Sequence, residues 1–141
     1  MSTIKKFLNL IFIDGLSGMA LGLFSTLIIG TILKQAADLI GGDFGYYLGV
    51  FAVMAQRLTG AGIGIGVAYK YKSSTYVTLS AAAAGMIGAY ATAIISGSIL
   101  SDGALVYSGP GDPLSAFIAA LAGIAVGSLP AGKTKLDLLI T

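Results

Sequence analysis

FGYYLGVFAVMAQRLTGAGIGIGVAY, residues 44–69, is an apolar run with Gln56 and Arg57 at its centre and no acidic residue. A bilayer core is crossed by about 20 mostly apolar residues in a helix that rises about 1.5 Å per residue. This run is long enough, and so are 7–33, 76–100 and 114–131. Lipid, not water, is the solvent these segments are built for.

The composition agrees. The chain has 141 residues, 56% hydrophobic and 10% charged, against roughly 25% charged in an average soluble domain. Mean hydropathy is +0.92. The reading is one integral membrane domain over residues 1–141, all-α, with about four transmembrane helices, one of them broken, and the start of a fifth at LDLLIT, 136–141. An apolar ending of this kind suggests a half that joins a missing C-terminal partner or another copy of itself. Lys5 and Lys6 resemble the start of a signal peptide, but the run that follows is too long and lacks a small-residue cleavage site.

Cys, His and Glu are absent. Thiol chemistry, disulfides and imidazole relays are excluded, and a zinc site loses its usual ligands. No nucleophile–base pair is visible, no cofactor is expected, and the chain is not read as an enzyme. A pI near 8.9 fits contact with anionic headgroups. No basic face suggests nucleic acid.

Six lysines fall on one side of the four-run map: Lys5, Lys6, Lys70, Lys72, Lys133 and Lys135. Lys34, Asp38, Asp43, Asp102 and Asp112 fall on the other. The positive-inside rule then places the N-terminus in the cytoplasm of a multi-pass cell-membrane protein. Small residues recur four apart at Gly18 and Gly22, at Gly41, Gly45 and Gly49, along 80–96, and at Ala119, Gly123 and Gly127. Such stripes let helices approach closely.

Arg57 is the most unusual residue. A charge at the bilayer centre costs about 2.5–3.5 kcal/mol even on a lenient scale, so it needs a partner, water or a cavity. Gln56 and Arg57 are therefore candidate solute contacts, set against an arginine that snorkels or anchors a bend. Gly60, Gly62, Gly64 and Gly66 follow, each costing about 1 kcal/mol against Ala in a helix. They predict a broken or re-entrant stretch lining a site, against a continuous helix packed tightly on a neighbour. Asp14, a further candidate at the solute site, either caps a helix near the headgroups or pairs with Arg57 or takes up a proton or cation. Gly109, Pro110, Gly111 and Asp112 form a loop that reads as a gate, or as an N-cap with proline at the first helical position. GSLPAGKT, 127–134, fits the phosphate-binding pattern GxxxxGKT, but no strand or soluble α/β domain surrounds it.

GLSGMALGLFSTLIIGTILKQ (15–35), GAGIGIGVAYKYK (60–72) and above all AFIAALAGIAVGSLPAGKTKLDLLIT (116–141) resemble the N-terminal half of the perfringolysin-regulator-like membrane proteins, a group also labelled EIIC-like after the phosphotransferase system. The resemblance implies a multi-pass bacterial inner-membrane protein with a transporter-like fold and about twice this length. Sugar-carrying EIIC proteins use His and Glu at their sites, and this chain has neither. The expected function is transport of a small polar or anionic solute without phosphotransfer chemistry. The alternative is a regulatory or assembly subunit in the membrane with no transport of its own.

Overall fold

The computed structural model describes residues 2–107 and 109–128. The structure is nearly all helix. Helix α1 (Ser2–Asn9) runs through one wide π turn (Leu10–Gly15) into α2 (Leu16–Ile40). Gly41 and Gly42, at φ +66° and +64°, end it in a conformation that glycine adopts without steric cost. α3 (Gly42–Arg57) and α4 (Thr59–Lys70) follow, bent by 46° at Leu58.

A left-handed residue, Lys72 at φ 54°, closes α4. The Ser73 and Lys72 amides donate to the Ala68 and Tyr69 carbonyls, both at 3.0 Å, which is a Schellman ending. Ser74 caps α5 (Thr75–Ala89) by accepting the Val77 amide at 3.4 Å. α5 ends at Tyr90, and α6 (Ala91–Ser96) leads into two short strands, β1 (Leu100–Ser101) and β2 (Ala104–Leu105). Their antiparallel register pairs Leu100 with Leu105 and Ser101 with Ala104. Asp102 and Gly103 make the turn, both at positive φ, as a tight two-residue hairpin requires. α7 (Pro113–Ser128) completes the described chain.

α4 is the centre of the bundle. It packs against α2, α5 and α7, while α2 carries α3 and α5 carries α7. The contacts are backbone against backbone. A Cβ on Gly18 would stand 2.6 Å from the Gly66 carbonyl oxygen, and one on Gly60 2.7 Å from that of Gly85. Both separations are shorter than a carbon–oxygen contact allows, so the helices lie this close because the residues are glycine. The small-residue stripes on α2, α5 and α7 meet their partners as expected: Gly22 faces Gly62, and Gly88 faces Ala119.

The interior is filled mostly by small and β-branched residues, with Ile63 and Val67 fully buried and Phe117 and Tyr90 as its aromatic members. Phe12, Phe24, Ile32, Phe44, Phe51 and Leu79 point outward. Large residues out and small residues in is the distribution of a bundle whose association relies on close helix packing.

The span count is less regular than four equal runs. Thr3–Ile40, 38 residues, is long and apolar enough to cross a membrane, and the bent pair α3–α4 passes the same test as one unit. α5 and α7 are apolar but shorter over the described residues. The run 76–100 is interrupted because Tyr90 leaves the helical conformation at φ −112°, ψ 20°. The run 114–131, the GKT tripeptide and the start of a fifth helix extend past or lie beyond the described residues.

Candidate functional site

The break at Leu58 is made by local hydrogen bonding. The Leu58 amide reaches back only to Ala55, at 3.3 Å, tightening the last turn of α3. The Thr59 hydroxyl then donates to the Gln56 carbonyl at 2.7 Å, offering that backbone oxygen a partner other than the helix ladder. Thr59 is the buried polar residue of the core, and its oxygen lies 3.0 Å from the Thr26 hydroxyl of α2. The kink is thereby fixed to a neighbouring helix.

Arg57 stands at this kink, half-buried. It stands in the last turn of α3, the end of a helix dipole that favours a cation. Its guanidinium carbon lies 5.0 Å from the ring centroid of Tyr107, within range of a cation–π contact worth about 0.5–2 kcal/mol. The Tyr107 ring meets Tyr90 edge-on at 4.9 Å and 62°. The Tyr90 hydroxyl donates to the Gly109 carbonyl. The Arg57 carbonyl, at 3.5 Å from the same hydroxyl, is too far to compete for its single proton. Arg57 Nε is buried and finds no acceptor among the described residues.

The loop is held over this cluster from below. The Asp112 amide donates to the Ala89 carbonyl at 2.8 Å. Gly111 is required twice over, by φ +77° and because a Cβ would stand 2.6 Å from the same Ala89 oxygen. Asp112 accepts the Leu114 amide at 3.0 Å and the Ser115 hydroxyl at 2.7 Å, so it caps α7 with Pro113 in the first helical position. These bonds, the Ser115 hydroxyl foremost, hold its carboxyl below the ordinary value.

Two of the four groups singled out in the sequence are therefore linked through Tyr90: the Gln56–Arg57 pair and the loop 109–112. A groove of about 700 Å³ runs from Gln56 and Arg57 between α2 and α3, lined also by Lys34, Asp38, Gly45 and Gly49. Gln56 lies over Gly30, where a Cβ would be 2.7 Å from its Cγ.

The four glycines serve contact between helices. Gly60 and Gly64 face α5, and Gly62 and Gly66 face α2. The stretch they occupy is continuous helix, and the expected break falls at Leu58, two residues before Gly60. Close backbone approach compensates for their poor helix propensity.

Asp14 does not pair with Arg57. It sits exposed on the π turn, about 24 Å along the helix from Gly30 at 1.5 Å per residue. Its neighbour Gly15 instead meets Tyr71 and Phe117. Tyr71 donates to the Leu10 carbonyl at 2.8 Å, an acceptor at the start of the π turn. Burial, and secondarily Asp14, push the Tyr71 phenol above its ordinary pKa.

Tyr90 and Tyr107 were not singled out in the sequence. The available signal was a tyrosine hydroxyl inside an Ala-rich run, which needs a partner once buried.

A family model described as Phosphotransferase system, EIIC matches residues 13–141. The chain belongs to the EIIC family. EIIC domains are membrane components of transport systems and are not catalytic on their own, so the lipid-facing surface and the transport reading share one basis. The match starts just before Asp14, and so spans the π turn, the kink and the loop of this EIIC chain. No curated protein and no solved structure matches it.

Proposed function

We propose that this chain is a multi-pass transport component that moves a small polar or anionic solute. It is EIIC-like in architecture without phosphotransfer chemistry of its own, because its residues include no His or Cys to accept a phosphoryl group. The finer resemblance is to the perfringolysin-regulator-like proteins. The chain crosses the cell membrane about four times with its N-terminus in the cytoplasm, and associates with a C-terminal half or a second copy.

One observation carries the reading. A guanidinium with an unmet, buried Nε–H sits at a helix break, under a loop and at the end of a groove. Broken helices near a polar group are where transporters commonly bind their cargo. Gln56, Lys34 and Asp38 are the remaining polar lining of that groove, and Tyr107 and Tyr90 stand behind Arg57.

Arg57→Ala in proteoliposomes is expected to abolish uptake of a labelled solute drawn from a panel of sugars and sugar acids, while helicity by circular dichroism is retained. Undiminished uptake in that variant would place the site elsewhere. The second reading is a membrane-embedded regulatory or assembly subunit. The missing phosphorelay residues favour it, and it predicts binding at Arg57 with no flux.

A further inference from the structure

The charge balance of the groove narrows the class of solute, and this step rests on the transport reading above. Three charged side chains line the groove: Lys34, Asp38 and Arg57. Lys34 and Asp38 lie 3.8 Å apart and offset each other. The uncompensated charge is that of Arg57, which forms no ion pair among the described residues.

Its geometry is equally specific. The guanidinium carbon lies over the Tyr107 ring, 5.0 Å from its centroid. Tyr90 backs that ring and is itself tied to Gly109. A guanidinium is planar, and all its donors lie in that plane. The edge formed by Nε–H and a neighbouring Nη–H matches two oxygens of one carboxylate or phosphate through parallel bonds. Here the Nε–H of that edge is buried and without an acceptor. A neutral hydroxyl offers one oxygen and leaves the charge unmet.

We propose that the Arg57 edge binds an anion with paired oxygens, and that the cargo is accordingly a negatively charged solute. The same chemistry is offered by the phosphate of an anionic lipid reaching the groove from the bilayer, so the test separates the two sources.

The full chain in nanodiscs of phosphatidylcholine alone is unfolded thermally and followed by circular dichroism. The probes are D-glucuronate and D-glucuronamide, alike in size and different in charge. Glucuronate is expected to raise Tm and glucuronamide to leave it unchanged. Arg57→Gln is expected to weaken glucuronate binding by about tenfold to a hundredfold, the loss typical of one hydrogen bond to a charged group. Arg57→Lys, which keeps the charge and loses the fork, should fall between. Equal protection by both probes, or glucuronate protection that survives Arg57→Gln, overturns the anion site. Uptake of glucuronamide by proteoliposomes, without any response to glucuronate, overturns it too, and leaves transport standing. A Tm rise on adding phosphatidylglycerol, with no response to glucuronate, keeps the anion site but assigns it to lipid and removes the solute reading. No response to glucuronate, inorganic phosphate or phosphatidylglycerol overturns the inference outright.

Discussion

Asp112 is exposed, yet its amide fastens the loop to Ala89 while its carboxylate starts α7. Because its carboxyl is held below the ordinary 3.8, the folded protein binds this proton less readily than the unfolded chain. The stabilisation is therefore complete above 3.8 and fades as pH falls through the lowered value. Asp112→Asn keeps a capping oxygen but does not titrate. Its thermal unfolding should show a flatter acid limb than the parent below about pH 4, and an unchanged limb would dismiss the cap as a pH-sensitive element. The roles of Asp112, Pro113 and Arg57 were legible because each is chemically out of place in its surroundings. Tyr90 and Tyr107 were not. Their partners are remote in sequence, and an aromatic residue beside apolar neighbours reads as ordinary core until the chain has folded.

At the level of elements, α4 was read correctly as unusual and only partly for the right reason. Low propensity predicted a broken or re-entrant stretch over 58–69, and the 46° bend at Leu58 falls at its start, set by Thr59 bonding to the Gln56 carbonyl. The stripes on α2, α5 and α7 were legible because small residues four apart leave one face bare wherever a helix forms. A Cβ on Gly64 would collide with the Ala81 carbonyl oxygen, and both are backbone-bound. Gly64→Ala should thus destabilise by about 1–3 kcal/mol, the usual range for overpacking. Gly49 provides the contrast, since its Cβ would meet only Ala37, at 4.0 Å. Gly49→Ala should be neutral or gain roughly 0.5–1 kcal/mol from helix propensity. Unfolding of both variants in detergent checks the pair, and equal losses would contradict the packing assigned to α4.

For the whole molecule, Tyr71 binding the Leu10 carbonyl brings the lysine-rich N-terminus and the α4–α5 turn to the same end of the bundle. Gly41 and the Asp102 hairpin lie beyond the opposite ends of their helices. The absence of native cysteine allows single-site labels to be read without background. Lys72→Cys and Asp102→Cys should react with an impermeant maleimide from opposite faces of the membrane, the former from the cytoplasm. Reaction of both from one face would refute the proposed arrangement. The membrane setting was plain from composition. The interruption at Tyr90 was not, because hydropathy is blind to a local change of backbone dihedral.

The bare faces of α4 have a consequence for how this protein can change over time. A glycine has no atoms left to give up, so every substitution on those faces adds bulk. Each of these glycines also faces backbone atoms of a neighbouring helix, and backbone cannot shrink to make room. Drift in α4 is therefore a one-way trespass, tolerated only when two neighbouring helices step aside in the same lineage.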